Sequence, residues 1–555
     1  MRVELSARRV LCSLLVILAA CCSFRTSIAE PSGKLEASAD AVQALSQGVD
    51  FERSLKWPQA IEHYEKALKQ YQTTDLEYGL RRSKIHFSIE RRYSDLSFQR
   101  SLRTLSLDEA TQTFNEVLSK IQNNYVDPMS STSFVAHGTE SFYLALADQK
   151  FIDHNLPNTP SSEIQPFRKL LREKYWNKPI ADRQAAVNTV REVAGLAEEQ
   201  LKLSPGATVM EYVFGGCNAL DDYSCFLTSG RLKDLHNNIQ GQFIGLGIEM
   251  KAEAGKGMLL MHVLPNSPAE QGGLLAGEHI VKVAGKDCRN LNTDATAGLL
   301  QGREGSQVTL EIMGETGNLR TATFTRRPVE VKSVPIARMI DSENGIGYLQ
   351  LTGFQSNTGA EFDAALAKLQ SQGMRALVWD VRGNPGGLLD AAVEVLDRFI
   401  ANGVMVSTRG RIVNQNHSFN AHQAGTLNMP LVLITDGDSA SASEIVAGCI
   451  RDHHRGTIIG RKTYGKWSVQ TILDLDTTSS GLRLTTAKFY SPNGHNLAKI
   501  GVTPDIELPE PKKERGFFRK ATEVNLAEDT DLQKAVELLQ KGKIALQQEK
   551  FSDSE

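Results

Sequence analysis

The alternation of apolar runs with amphipathic segments after residue 345 is the feature that most limits the fold of this chain. Three short runs, ALVWDV (376–381), LVLITD (431–436) and GTIIG (456–460), are separated by segments with the apolar spacing of helices. Strands that lack polar alternation are typical of parallel sheets, because helices cover both faces of such a sheet. The pattern therefore predicts a mostly parallel α/β layer within residues 330–510.

The length of 555 residues is too great for one hydrophobic core, and roughly three or four domains are expected. Short β-rich runs with glycine turns predict a strand-rich domain, and glycine-poor stretches before it predict helices. The fold class is thus multidomain α/β, with a helical N-terminal region. The predicted boundaries are 1–29 (signal peptide), 38–100 (helical), 105–235 (helical), 242–327 (strand-rich), 330–510 (α/β) and 511–555 (charged tail ending in a helix).

Within residues 38–100, small and aromatic residues fall at the offsets of a tetratricopeptide repeat: Gly48, Phe51, Ala60, Tyr64 and Ala67. A second copy about 34 residues further on is hard to find. Two interpretations stay open: a helical hairpin that packs locally, or a surface that binds a protein adaptor.

The N-terminus has the features of a secretory signal. Two arginines precede VLCSLLVILAACC, an apolar run too short for a comfortable membrane span. Cleavage before Glu30 would release a soluble protein, whereas LAAC ending at Cys21 resembles a lipoprotein box and would leave a lipid anchor. Either alternative predicts an exported protein, periplasmic or attached to the cell envelope. The formal net charge of −3 argues against a nucleic-acid partner.

Four cysteines lie outside this leader. Cys217 and Cys225 are close enough in sequence for a disulfide in an oxidising compartment, and this pairing stays open. Cys288 and Cys449 have the isolation typical of buried thiols. No cysteine or histidine spacing predicts a zinc site.

Two strand-to-helix junctions carry candidate chemistry. The turn 379–387 (WDVRGNPGG) is rich in glycine, which leaves backbone N–H groups free to face an anion. At the second junction, Ser439, Ser441 and Ser443 alternate with alanines after an apolar run. One helix cap needs one serine, so three indicate either capping or a crowded turn that presents a nucleophile.

Lys466 is the candidate base. It lies in GRKTYGKW (460–467), which has the skeleton of a phosphate-binding loop, but Trp467 stands where the magnesium-binding hydroxyl is needed. A nucleotide site is therefore the weaker interpretation. A lysine accepts a proton only when neutral, so burial has to lower its pKa, and Tyr464, Trp467 and Val469 are the predicted walls.

The chain resembles the carboxyl-terminal processing peptidases, the tail-specific serine proteases. The resemblance covers about residues 105–127 and 210–510, and its strand-rich part resembles the PDZ domain of that family. The departures are Trp467 in place of a glycine, which would narrow the pocket, and LLAGEHI (274–280) in place of a Pro-Gly-Asp sequence. The matching segments are YVDP (125–128), LDDYSCFL (220–227), DVRGNPGGLL (380–389), SASASEIVAG (439–448), TYGKWSVQ (463–470), LTTAKFYSPNG (484–494) and GVTPDI (501–506).

This resemblance implies a crotonase-like peptidase core and a Ser-Lys dyad without metal or cofactor. The implied nucleophile is Ser441, the base is Lys466, and Gln470 would orient the amine. The implied oxyanion donors are the N–H of Ala442 and one from the Gly386-Gly387 turn. The PDZ loop that would bind a substrate carboxylate is Gly245, Leu246, Gly247 and Ile248.

The implied function is serine endopeptidase cleavage of exported proteins at or near their C-termini, with the PDZ domain binding the tail. The alternative is a non-catalytic scaffold in the cell envelope, in which the PDZ and repeat-like parts bind partners. A homo-oligomer is also compatible with the sequence.

Overall fold

The computed structural model divides the chain into two compact units at Ser88, and each is described separately. The predicted signal peptide, including Cys21, and most of the charged stretch after 510 lie outside the described residues. Within the described ranges no helix combines the length and apolar composition needed to span a bilayer. Those ranges are 39–253, 255–291, 293–314, 316–422, 426–510 and 528–552, with side chains left out at 294, 295 and 542–552.

The first unit consists of helices packed around one tyrosine. Its helices are α1 (Ala39–Arg53), α2 (Trp57–Leu68) and the start of α3 (Thr74–Tyr93). The ring of Tyr64 is fully buried and occupies the space where Gly48 and Gly79 lack a side chain. Its hydroxyl donates to Glu52, which also pairs with Arg82. The small residues therefore allow the helices to close around an aromatic ring, which is the packing that the repeat-like spacing predicts.

The second unit begins with helices that form the N-terminal part of its core. Ser106 and Glu109 form a capping box, and the Phe114, Val117, Leu118 and Ile121 stripe of the following helix is buried. Two π-helical turns (Phe98–Leu102 and Leu171–Tyr175) interrupt the series. The helices are α4 (Leu107–Asn124), α5 (Ser131–Ala145), α6 (Gln149–Asn155), α7 (Ser161–Leu170), α8 (Arg183–Leu201), α9 (Pro205–Cys217) and, after strand β1 (Cys225–Leu227), α10 (Ser229–Ile239).

The strand-rich domain is an antiparallel sheet with two short helices. A separate ribbon, β2 (Gln242–Gly245) paired with β9 (Arg327–Glu330), joins both ends of the domain to the rest of the unit. The strand order is β3-β4-β5-β7-β8, with β6 beside β5, so β3 is an edge strand. The elements are β3 (Ile248–Glu253), β4 (Gly257–Val263), α11 (Pro268–Gln271), β5 (His279–Val283), β6 (Lys286–Asp287), α12 (Thr293–Leu300), β7 (Gln307–Met313) and β8 (Leu319–Thr325).

The predicted α/β layer is present as a six-stranded sheet. Its order is β10-β11-β12-β15-β16-β19, and every neighbouring pair is parallel except β10–β11. The central strands are buried on both faces, as their continuous apolar sequences predict. The elements are β10 (Ile336–Asp341), β11 (Ile346–Gln350), α13 (Thr358–Ser371), β12 (Ala376–Asp380), α14 (Leu389–Leu396), β15 (Leu431–Thr435), α15 (Ala442–Asp452), β16 (Thr457–Gly460) and β19 (Ile506–Glu507).

A second, antiparallel sheet stands beside this layer and has no counterpart in the sequence predictions. It contains β13 (Val404–Gly410), β14 (His417–Asn420), β17 (Ser468–Asp474) and β18 (Gly481–Tyr490). Strand β1 also pairs with β18, at Cys225–Leu227 against Gly481–Arg483. The helical region therefore contributes a strand to the sheet that carries the segment after Lys466.

Helix α16 (Thr530–Ser552) is part of the α/β core rather than a detached tail. Its apolar face packs on the parallel sheet through four buried residues: Leu532, Ala535, Val536 and Leu539. They share a cluster with Tyr348, Val378 and Ile434 of the central strands. The sequence predicted this helix, but the charged residues before it gave no indication that it packs on the parallel sheet.

Candidate active site

The three serines at the start of α15 differ in their surroundings. Ser439 and Ser443 are fully buried, and their hydroxyls donate to the carbonyls of Val381 (2.8 Å) and Asn384 (2.9 Å). Ser441 is only partly buried. Its hydroxyl has no hydrogen-bond partner among the described residues. Of the three, Ser441 is therefore the one whose hydroxyl is available to react.

The backbone at Ser441 is strained. Its φ of 56° and ψ of −113° lie outside the regions that residues with a side chain readily adopt. The residue stands at the sharp turn between buried strand β15 and helix α15. Such a turn lifts a hydroxyl above the edge of a sheet and is typical of serine hydrolases.

The glycine-rich turn 379–387 packs directly against Ser441. A Cβ atom on Gly386 would lie 2.7 Å from the Ser441 Cβ and 2.8 Å from the Ala442 nitrogen, so only glycine fits there. The Gly386 N–H donates to Asn384 Oδ1 (2.9 Å). The N–H groups of Gly387 and Ala442 have no acceptor among the described residues. Of the two glycines, Gly387 is thus the one with an open donor.

Lys466 lies in the loop between β16 and β17. Burial, and secondarily the positive charge of Arg483, lowers its pKa to about 8, while Asp221 and Glu444 oppose the shift. The ring that faces the amine is Tyr223, whose centroid lies 5.0 Å from Nζ. The low pKa is what proton acceptance near neutral pH requires.

The residues predicted as walls of the lysine pocket differ in their surroundings, and Val469 packs partly buried against the hydrophobic core. The Tyr464 side chain is 58% exposed, and Trp467 lies in the hydrophobic core against Phe489, with ring centroids 4.8 Å apart. The extra volume of Trp467 is thus accommodated in the hydrophobic core. Tyr223 was not predicted, since it comes from the distant LDDYSCFL segment.

Glu444 is a site residue that sequence reasoning missed. Its Oε2 accepts the N–H groups of Ser441 (2.9 Å) and Lys466 (2.7 Å), so these two nitrogens lie within about 6 Å of each other. Its Oε1 accepts the Gly465 N–H and the Thr463 hydroxyl, each at 2.7 Å. Burial raises the pKa of this carboxyl, although the four donors favour its ionised form. The signal for it was the capping-box spacing from Ser441 to Glu444.

Gln470 lies on β17 at an irregularity in its pairing with β18. Its side-chain amide donates to the Ser468 hydroxyl (2.8 Å) and carbonyl (3.2 Å) and to Thr485 Oγ1 (3.2 Å). Among the described contacts, none joins it to Lys466. Its predicted role in orienting the amine stays a prediction.

The loop predicted to bind a carboxylate connects β2 with the edge strand β3. Gly247 has a φ of 79°, and its missing Cβ makes room for Ser267. The carbonyls of Leu246 and Gly247 accept N–H groups from Ala269 and Leu264, each at 2.8 Å, which fixes the loop. Gly245 ends β2 and Ile248 begins β3, so the predicted residues are contiguous beside an open sheet edge.

The loop 460–467 leads into strand β17 rather than a helix. A phosphate loop needs a helix N-terminus, so the nucleotide interpretation is not supported. The four described cysteines are free thiols, and Cys217, Cys288 and Cys449 are buried. Within the described part of the chain, no group of three or more His, Cys, Asp or Glu side chains is arranged to hold a metal ion.

Comparison with known proteins agrees with this architecture. The sequence profile of peptidase family S41 matches residues 345–508, and a PDZ-domain profile matches residues 261–313. The chain is similar to a carboxy-terminal-processing protease of Bartonella bacilliformis, with 38% identity over 308 residues (54% of this chain and 69% of that protein). It is also similar to a chloroplastic C-terminal processing peptidase of Tetradesmus obliquus, with 33% identity over 356 residues (61% and 71%).

A third relative is a carboxyl-terminal-processing protease of Picosynechococcus sp., 30% identical over 348 residues (61% of this chain and 77% of that protein). A solved structure of a photosystem II D1 C-terminal processing protease is 26% identical and covers 72% of this chain and 92% of its own, with a TM-score of 0.40. The sequence relatives carry the assignment. The chain belongs to peptidase family S41 and contains a PDZ domain.

Proposed function

We propose that this serine endopeptidase cleaves with a Ser441–Lys466 dyad, near the C-termini of exported proteins. The observation that carries the proposal is the Glu444 carboxylate, one oxygen of which accepts the backbone N–H groups of both residues. This carboxylate brings the backbone of a strained serine, whose hydroxyl has no partner among the described residues, close to that of a lysine with a pKa of about 8.

The proposed first step is attack by Ser441 on the peptide carbonyl. Neutral Lys466 accepts the hydroxyl proton as the Oγ–carbon bond forms, and the carbonyl electron pair moves onto the oxygen. In this step the N–H groups of Ala442 and Gly387 stabilise that oxyanion. As the tetrahedral intermediate collapses, the Lys466 ammonium returns the proton to the leaving amine. Water then hydrolyses the acyl-enzyme with the same base.

The PDZ domain supports the choice of C-terminal tails as substrates. Its loop from Gly245 to Ile248 supplies backbone N–H groups for a free carboxylate, and β3 is an open edge to which an extended tail can add as a strand. Protein tails are therefore the proposed partners. The helical unit before Ser88 is a candidate adaptor surface, and export, a lipid anchor and oligomerisation remain predictions from the sequence.

The dyad is tested with purified full-length protein and a substrate that ends in an unstructured apolar tail. We expect Ser441→Ala and Lys466→Ala to lower kcat by at least about 1000-fold. Lys462→Ala is the matched control, because Lys462 is exposed on the same loop. Near-normal trimming by either dyad variant would refute the assignment.

Export is tested by mass spectrometry of the mature N-terminus in the cell envelope. A lipidated Cys21 and a free Glu30 give different masses, so the experiment separates the two cleavage alternatives. A chain that keeps Met1 and stays in the cytoplasm would contradict both.

A further inference from the structure

The oxyanion turn contains a buried arginine, Arg382, that is surrounded by carboxylates. Its guanidinium pairs with Asp380 on the same turn through Nε (2.8 Å) and Nη2 (2.5 Å). It also donates to both oxygens of Asp529, at 3.1 and 3.0 Å, and to Asp531 Oδ2 at 2.7 Å. All four side chains are at most 3% exposed. A buried charge of this kind is tolerated only when it is paired.

The Asp531 carboxylate also binds the loop that leads to Lys466. Arg461 Nη1 donates to Asp531 Oδ2 at 2.7 Å, so one oxygen accepts both arginines. Arg461 is fixed at the end of β16, because its N–H and carbonyl bond to the carbonyl (3.0 Å) and hydroxyl (2.8 Å) of Thr435. Two residues later, Thr463 donates to Glu444. Three hydrogen bonds, together with the backbone from Arg461 to Thr463, therefore connect Asp531 with the backbone N–H of Lys466.

The turn that contains Arg382 also contains Gly387, one of the proposed oxyanion donors. The Arg382 N–H donates to Asp380 Oδ1 (3.0 Å), and the next residue, Gly383, donates to Asp436 (3.0 Å), which precedes the serines. Gly387 follows within the same turn. A shift of the Arg382 guanidinium would thus move the backbone that presents the open N–H group.

We propose that Asp529 and Asp531 are positioning residues for the peptidase reaction. They lie outside the family-matched residues 345–508 and fix the oxyanion turn and the Lys466 loop relative to each other. This inference rests on the proposed dyad, because its effect is exerted through Gly387 and Lys466. Neither aspartate touches the reacting atoms, so their loss affects the alignment of groups rather than their identity.

The test compares two ways of disturbing α16 in the full-length enzyme. Asp531→Asn removes the shared charge, whereas Leu539→Ala loosens the packing of the same helix away from the aspartates. Well below both melting temperatures, we expect Asp531→Asn to lower kcat about 100-fold with KM within about twofold, since misplacement of about 1 Å costs that much. Leu539→Ala keeps kcat near the wild-type value. Equal kcat for the two variants would overturn the proposal.

Two further variants keep the test decisive if Asp531→Asn does not fold. Arg461→Gln leaves Asp531 paired with Arg382 but removes its ion pair with the Lys466 loop, and we expect kcat to fall about tenfold. Glu537→Gln is the control for charge on α16, because Glu537 forms its ion pairs among the described residues with Lys534 and Lys541. A wild-type kcat for Arg461→Gln would overturn the proposal.

Failure of the dyad gives a different result. If Lys466→Ala retains activity, the dyad assignment is wrong whatever Asp531 does. If Lys466→Ala is inactive and the Asp531 and Arg461 variants keep wild-type kcat, only the positioning proposal is wrong.

Discussion

At the scale of the residue, hydrogen bonding separates three serines that look alike in sequence. The hydroxyls of Ser439 and Ser443 are used by the backbone of the neighbouring glycine turn, whereas that of Ser441 is not. The pattern of alternating serine and alanine predicted a crowded turn, but it left capping and nucleophile as alternatives. Burial and hydrogen bonding distinguish the three hydroxyls, and both depend on residues 58 and 59 positions away.

The surroundings of Lys466 lead to a prediction about pH. In the proposed dyad Lys466 accepts a proton only when neutral, so kcat/KM should rise with pH and reach half of its plateau near pH 8. The Tyr223 ring favours the ammonium by about 0.5–1 kcal/mol, so Tyr223→Leu should lower the pKa of the lysine. We expect the midpoint of kcat/KM to move down by about half a pH unit.

The control for this prediction is Tyr223→Phe, which keeps the aromatic face. Its midpoint should stay at the wild-type value. Equal midpoints for the leucine and phenylalanine variants would show that the ring does not influence Lys466.

At the scale of the element, the packing of helix α15 depends on a small residue that faces a large one. Gly448 lies over the buried indole of Trp467, and a Cβ there would approach the Trp467 Cη2 to 2.9 Å. The sequence resemblance identified Trp467 as a departure from the family. It could not show that Gly448, on helix α15, leaves room for the extra volume of the indole.

This contact predicts that the effect of Gly448→Ala on the free energy of unfolding changes sign when Trp467 is replaced by phenylalanine. In the wild-type background, Gly448→Ala should lower the free energy of unfolding by about 1–2 kcal/mol, because the added methyl overlaps the indole. In a Trp467→Phe background the overlap is relieved, and the higher helix propensity of alanine should stabilise the protein by about 0.5–1 kcal/mol. Urea unfolding of the four proteins measures both values, and additive effects would contradict the contact.

The elements themselves were predicted unequally. The strands and helices of the α/β layer follow from local periodicity, since the two central apolar runs are buried on both faces. The antiparallel sheet of β1, β13, β14, β17 and β18 does not, because its strands are far apart in sequence. The resemblance assigned LDDYSCFL to the N-terminal helical segment, whereas the structure has strand β1 at its end, paired with β18.

At the scale of the whole molecule, tail capture and cleavage are assigned to different domains. Amidation of a substrate tail removes the carboxylate that the Gly245–Ile248 loop would bind, which costs about 1.5–3 kcal/mol. We therefore expect KM to rise about 10- to 100-fold while kcat stays within about twofold, since the lost contact is remote from the reacting bond. Steady-state kinetics on free and amidated tails measure this.

The matched control keeps the tail carboxylate and neutralises one acidic residue elsewhere in the substrate. Its KM should stay near that of the unmodified substrate. Equal KM values for the free and amidated tails would exclude carboxylate capture by the PDZ loop.

The position of α16 has a consequence for how the enzyme comes into being. Residues 530–541 cover one face of a sheet whose six strands are all synthesised earlier. Before residues 529–541 have been synthesised, α16 does not cover that face and Arg382 lacks two of its three carboxylates. If these aspartates position the site as proposed, full activity should develop only after this last helix has docked on the sheet.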